Sequence, residues 1–162
     1  MFKTMMLSLV VMITSFGSLA KERISLSKKE MKEIVEVLKL NETLHASFFK
    51  YDGKEVEAAA TKVKMAIDKI SNKDVAKLLT FSKTKLSEMK STSKREANNE
   101  AYNLVSMALI HVVNSYDVGK EYNAYSCPMV KKKWVQNSSK MAKVHNPYAP
   151  RMPHCGSQDS KY

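Results

Sequence analysis

A long central stretch of the chain is almost free of glycine and proline, and this limits the folds that the chain can adopt. The 162 residues contain only 4 Gly and 4 Pro, and three of the prolines follow residue 146. An all-β fold needs many turns, which these two residues normally supply, whereas helix interiors exclude both. The length suits one ordinary domain, so we expect a single helical domain.

Four segments carry the pattern of a helix start, in which a Ser or Asp is followed three residues later by an acidic residue. Such a pair satisfies backbone N–H groups of the first turn and places negative charge at the positive end of the helix dipole. Apolar residues recur at helical spacing after each pair. The four pairs are Ser27 and Glu30, Asp52 and Glu55, Ser71 and Asp74, and Ser93 and Glu96.

The links between these segments are short, which predicts antiparallel neighbours. We therefore expect an all-α fold: an antiparallel four-helix up-down bundle over about residues 27–118, with an irregular Cys/Met-rich C-terminal tail packed on it. The motif segment of the tail spans residues 122–156, and residues 21–162 form one domain in this interpretation. The bundle has no pattern for haem or a di-iron site, so His45 and His111 are expected to be surface or hydrogen-bonded histidines.

Residues 1–20 have the pattern of a signal peptide. Lys3 gives a short positive region, an apolar run follows, and Ser18 and Ala20 are the small residues expected before a cleavage site. The apolar run is shorter than the about 20 residues that a membrane-spanning helix needs. A retained N-terminal anchor is the weaker alternative. We expect an exported protein with no stable membrane span after cleavage.

The chain is strongly basic, with 27 Lys and Arg against 16 Asp and Glu and a formal net charge of +11. The lysines are scattered along the predicted helices and do not alternate with aromatic residues, as a nucleic-acid surface would require. The only dense patch is Lys131 to Lys133. We expect no nucleic-acid partner, and the charge is interpreted as a solvated surface, with an acidic partner or a membrane surface as alternatives.

The tail concentrates residue types that bind soft metals. Cys127 and Met129 flank one proline, and Met152, His154 and Cys155 lie together near the C-terminus. Thiolate and thioether sulfur favour Cu(I) over calcium, magnesium or zinc, and a low-coordinate Cu(I) centre needs only a few of these ligands. The sequence therefore predicts a Cu(I) site formed by these five residues.

The two cysteines also allow a simpler interpretation. In an oxidising compartment Cys127 and Cys155 can form one disulfide, which closes a long loop and stabilises the fold by about 3–4 kcal/mol. A disulfide alone would leave Met129 and Met152 unexplained, so both interpretations stay open.

The tail resembles an exported bacterial family known as domain of unknown function 3347. The matching pattern is a helical bundle followed by C-P-M, Trp, N-P-Y and M-x-x-C-G, and His154 is outside it. Members of that family stand alone or are fused to periplasmic adaptor subunits of heavy-metal efflux systems. The resemblance implies a periplasmic protein with a role in copper or related metal handling and an efflux adaptor as partner. The matching residues are Cys127, Pro128, Met129, Trp134, Asn146, Pro147, Tyr148, Met152, Cys155 and Gly156, with Arg95, Val105 and Ser106 upstream.

Three functions follow from these observations. The first is a periplasmic metal-binding protein that binds or handles Cu(I). The second is a non-catalytic helical interaction module with a structural disulfide between Cys127 and Cys155 and no metal. The third is an enzyme, which is disfavoured because no nucleophile lies at a recognisable spacing from a base and an orienting group.

Overall fold

The computed structural model describes residues 22–141 and 143–162, and the predicted signal peptide, residues 1–20, lies outside them. Helices form the first two thirds of this part, and strands follow. The helices are α1 (Lys28–Ser47), α2 (Gly53–Ile67), α3 (Lys73–Leu78), α4 (Thr80–Glu88) and α5 (Arg95–Ser115). The strands are β1 (Tyr122–Cys127), β2 (Lys132–Asn137) and β3 (Ser157–Gln158). None of the helices in the described ranges is both long enough and apolar enough to cross a membrane.

Local capping explains the first two helix starts, as predicted. The Ser27 hydroxyl accepts from the Glu30 backbone N–H at 3.3 Å, and the Glu30 carboxylate accepts from the Ser27 backbone N–H at 2.9 Å. This reciprocal pair is a capping box. Asp52 caps α2 by accepting from the Lys54 N–H at 2.7 Å.

The third and fourth helix starts differ from the prediction. Asn72, one residue beyond the predicted cap, accepts from the Val75 N–H and begins α3. At the start of α5, Lys94 is the cap residue and makes no side-chain capping bond. The predicted third helix is also divided, because Leu79 leaves helical geometry (φ −87°, ψ 3°) between α3 and α4.

Ser27→Ala is expected to lower the free energy of unfolding by about 1 kcal/mol, because it removes a cap that satisfies a backbone N–H of the first turn. Chemical denaturation of the purified chain measures this loss. Ser93→Ala is the matched control, since α5 has no side-chain cap bond, and should stay within about 0.5 kcal/mol of the parent. Equal losses in the two variants would contradict the assignment of the capping box.

The long helices pack against one another around one hydrophobic core. α1 contacts α2, α2 contacts α4, and α4 contacts α5. Tyr102 connects α5 to the end of α1, because its ring stacks on that of Phe48, the residue that follows α1, with centroids 4.8 Å apart. The predicted helical core is therefore present, but it is only part of the fold.

The tail is a β-sheet, so the predicted all-α fold is wrong and the protein is mixed α/β. The sheet is antiparallel with the order β2-β1-β3, and Tyr125 faces Trp134 in the β1–β2 register. α5 packs against both strands of this hairpin. The strands are rich in aromatic and β-branched residues, which favour a pleated and buried surface. Almost every residue from Tyr122 to Cys127 is buried, so the alternation that marks a half-exposed strand is missing.

Both ends of the described chain are fixed at the C-terminal end of α5. Ile24 pairs with Tyr116 as a β-bridge. The Ile24 N–H donates to the Ser115 carbonyl at 2.8 Å, and the Ile24 carbonyl accepts from the Asp117 N–H at 2.9 Å. Arg23 forms an ion pair with Asp117 at 2.8 Å, and its guanidinium lies 3.9 Å from the ring centroid of Tyr162. The segment before α1 is thereby tied to the region where helices give way to the sheet.

Candidate functional site

All five predicted copper ligands lie in the part of the chain that the structure describes. Cys127 and Cys155 are bonded to each other as a disulfide. A disulfide sulfur carries no charge, whereas a metal-binding cysteine acts as the thiolate. No group of three or more His, Cys, Asp or Glu residues within residues 22–141 and 143–162 is arranged to hold a metal ion. The predicted metal-binding function is therefore wrong, and the disulfide interpretation fits the structure better.

The other three predicted ligands are Met129, Met152 and His154. Met129 sits in the β1–β2 turn with 68% of its surface exposed, and Met152 is 40% exposed. His154 places Nδ1 2.8 Å from the Val144 carbonyl oxygen. Cu(I) as a cofactor stays a prediction from the sequence, and the function proposed below does not depend on it.

The residues of the tail motif instead form a structural group, which we call the tail cluster and define as Cys127, Trp134, Asn146, Tyr148, Cys155 and Gly156. Asn146 is fully buried and organises the segment that carries Cys155. Its side-chain amide donates to the Cys155 carbonyl at 3.0 Å, and its side-chain oxygen accepts from the Tyr148 N–H at 2.9 Å. Its backbone N–H donates to the Pro153 carbonyl at 2.7 Å. The N-P-Y step therefore shapes the loop that the disulfide anchors to β1.

Aromatic packing joins the tail cluster to the helices. The Tyr148 ring lies 5.6 Å from that of Tyr102 on α5 and 6.3 Å from that of Trp134. Its hydroxyl lies 3.2 Å from the Ser106 hydroxyl, and both groups are buried. Trp134 itself is fully buried and stacks on Tyr125. These contacts fix the loop on α5 and the hairpin, which is a structural role.

His45 is the polar residue that the sequence prediction placed wrongly. It is 2% exposed on α1, and neither ring nitrogen has a hydrogen-bond partner within the described residues. Its ring lies among those of Phe49, Tyr102 and His145, with centroids 5.4, 6.5 and 5.6 Å away. His145 in turn stacks on Phe49 at 3.5 Å. The tail thus meets the end of α1 through an aromatic group around a buried histidine.

Acid should destabilise the fold through His45. Burial, followed by the neighbouring His145, lowers the pKa of His45 from 6.5 to about 3. Below pH 6.5 His45 is protonated in the unfolded chain but stays neutral in the folded chain. The free energy of unfolding therefore falls as the pH drops from 6.5 toward 3. Between pH 6.5 and pH 4.5 the loss from this group alone is about 2–3 kcal/mol. Denaturation of the parent across this range measures the total slope.

The His45→Leu variant isolates this contribution, because other groups such as Glu42 also respond to acid. Leucine carries no titrating group and leaves no polar atom without a partner, so the variant should have a clearly shallower pH slope. His111→Gln is the control, since His111 is exposed on α5 and should leave the slope as in the parent. Identical slopes for the parent and His45→Leu would contradict the burial of a neutral His45.

A long groove runs between α1 and α2. It consists of two adjoining cavities of about 430 and 620 Å³ that share Lys62. We call it the α1/α2 groove. One stripe of α1 and one of α2, with side chains recurring every three or four residues, form its walls. The lining residues are Lys32, Glu33, Glu36, Leu40, Thr43, Ala46, Ser47, Phe49 and Lys50, then Glu55, Ala58, Ala59, Lys62, Met65, Ala66 and Lys69, and His145.

The α1/α2 groove combines an apolar centre with a charged rim. Its centre consists mostly of alanines, which leave room for another backbone, together with Leu40 and Phe49. Met65 projects from the wall with 57% of its surface exposed. His145 of the tail stands at one end, stacked on Phe49. His145, which precedes Asn146 of the tail cluster, therefore closes the groove at that end.

Sequence reasoning missed this groove, because each helix by itself shows only an amphipathic pattern. The exposed alanines at positions 46 and 58 and the exposed Met65 were the signal that could have marked it. A solvated helix face usually carries charged or polar residues at such positions.

Comparisons with known proteins give no family for the chain. No family model matches it, and no curated protein or solved structure matches it at a significant level. The resemblance of the tail to domain of unknown function 3347, and the efflux adaptor that it implies as partner, stay predictions.

Proposed function

We propose that this protein is a non-catalytic binding module of an oxidising, extracytoplasmic compartment, and that the α1/α2 groove is its binding surface. The observation that carries the proposal is an open apolar groove on two long helices whose end is formed by the disulfide-anchored tail. Apolar grooves between helices are a recurring site for binding a partner helix.

The disulfide supports both parts of the proposal. Structural disulfides persist in secreted and periplasmic proteins and are rare in the cytosol, which agrees with the predicted signal peptide. The bond fixes Cys155, the buried Asn146 fixes the segment that contains His145, and His145 forms the end of the groove. A pre-shaped groove binds its partner with a smaller loss of conformational entropy.

A displayed library of helical peptides, selected on the purified and oxidised protein, tests the proposed function. Selection should enrich peptides whose binding is lost in Met65→Glu, which places a charge in the apolar groove. Met107→Glu is the matched control, because Met107 is also an exposed methionine on a helix but lies on α5, outside the groove. No enrichment, or enriched peptides that bind Met65→Glu as well as the parent, would contradict a binding function of the groove.

A further inference from the structure

The size of the α1/α2 groove matches one long helix. One wall runs from Lys32 of α1 to Lys50, three residues beyond the end of α1, and its helical part from Lys32 to Ser47 spans roughly 23 Å along the axis. The small exposed side chains of the groove, such as Ala46 and Ala58, allow a third helix to approach closely. A partner with a row of apolar residues at helical spacing would bury that row between α1 and α2.

The charged residues on the rim of the groove indicate which side chains a partner helix should carry on either side of its apolar row. Four lysines line the groove, and none of them forms an ion pair with a described residue: Lys32, Lys50, Lys62 and Lys69. Of the three acidic residues on the rim, Glu33 is already paired, because its Oε1 lies 3.9 Å from the Nζ of Lys29, a lysine that does not line the groove. Its Oε2 accepts from the Ser71 N–H and hydroxyl at 2.8 and 2.7 Å. The remaining rim therefore carries an excess of positive charge over Glu36 and Glu55.

From this charge pattern we propose that the groove binds an amphipathic α-helix whose apolar face is flanked by acidic residues. This rests on the proposed function and specifies its partner. Complementary charge at the rim sets the choice of partner and its orientation, while apolar burial at the centre supplies affinity.

Other occupants fit the charges less well. A second copy of the chain brings a formal net charge of +11 and would be repelled. Residues 1–21 contain two lysines and no acidic residue, so they do not complement the rim either. An anionic membrane is flat, whereas the lysines here border a concave groove with apolar residues at its base.

Two designed peptides of about 18 residues test the choice of partner, since that length spans the groove. Both carry the same Leu/Ala face, with Glu at the flanking positions of one and Lys at those of the other. Fluorescence anisotropy with the full, oxidised protein should show that the Glu peptide binds at least about tenfold more tightly than the Lys peptide. Added salt should reduce this difference in affinity. Anionic phospholipid vesicles, tested in parallel, should bind less tightly than the Glu peptide.

Charge-reversal variants locate the binding. Lys62→Glu changes the residue that lines both cavities, and it should lower the affinity for the Glu peptide by about tenfold or more. Lys77→Glu is the control, because Lys77 is an exposed lysine on α3 outside the groove and should leave binding nearly unchanged. The fluorescence of Trp134 checks that each variant is folded.

The outcomes distinguish a wrong choice of partner from a wrong assignment of the groove as a binding surface. Equal binding of the two peptides, a preference for the Lys peptide, or vesicle binding without peptide binding would overturn the acidic helix as partner. If library peptides still depend on Met65 in that case, the groove remains a binding surface with a different partner. If neither peptides nor library bind at the groove, both proposals fall.

Discussion

Replacing both Cys127 and Cys155 by alanine is expected to lower the free energy of unfolding by about 3–4 kcal/mol. The two residues are 28 positions apart, and the bond between them restricts the unfolded chain. Reduction of the parent protein should cause a similar loss, because the covalent bond rather than the side-chain volume supplies most of the effect. The fluorescence of Trp134, the chain's one tryptophan, follows unfolding in denaturant from inside the tail cluster.

Met129→Leu and Met152→Leu are the matched controls for this experiment. Both side chains are exposed, so each change should alter the free energy of unfolding by no more than about 0.5 kcal/mol. A large loss in either methionine variant, or full stability after reduction, would contradict a purely structural disulfide.

Gly156→Ala is expected to destabilise the protein by about 2–5 kcal/mol, the sum of backbone strain and a steric clash. Gly156 has φ +136°, where a side chain is strained, and it follows the disulfide directly. A Cβ there would lie 2.5 Å from the Ser126 carbonyl oxygen and 2.9 Å from the Trp134 ring. The Ser126 oxygen belongs to the backbone of β1, so relief would require the sheet itself to move.

Gly119→Ala separates the two parts of this loss. Gly119 also has positive φ, at +89°, but a Cβ there would meet no atom of a described residue within 4 Å. It should therefore show only the backbone cost, about 1–2 kcal/mol. Thermal or chemical denaturation of both variants gives the difference. Equal losses would mean that the space around Gly156 can open, against the tight fit of the tail cluster.

The sequence predicted those parts of the fold that depend on neighbouring residues. Ser27 and Asp52 mark helix starts correctly because their side chains bind N–H groups only two or three residues away. The sheet was missed because β1 is buried along nearly its whole length. Polar residues such as Asn123 are buried in it, bonded to the Lys120 carbonyl and the Ser138 hydroxyl, which hides the alternating pattern of a strand.

The candidate site, like the fold, could be predicted from the sequence only in part. The tail residues were recognised as a group from their composition, and the structure does bring Cys127 and Cys155 together. Their chemistry could not be assigned from sequence, because thiolate ligands and a disulfide use the same two residues. The environment of His45 and the α1/α2 groove depend on how α1 meets α2 and the tail. No local pattern encodes that contact.

The most direct test of this account is the redox and metal state of the two cysteines in protein purified without reductant and without chelator. Intact mass spectrometry under denaturing conditions should give a mass lower than that of the reduced chain by two hydrogens. Alkylating reagent should label neither Cys127 nor Cys155, and native mass spectrometry should show no bound metal. Two alkylated thiols, or a metal ion retained through them, would contradict the structural disulfide on which the proposed function rests.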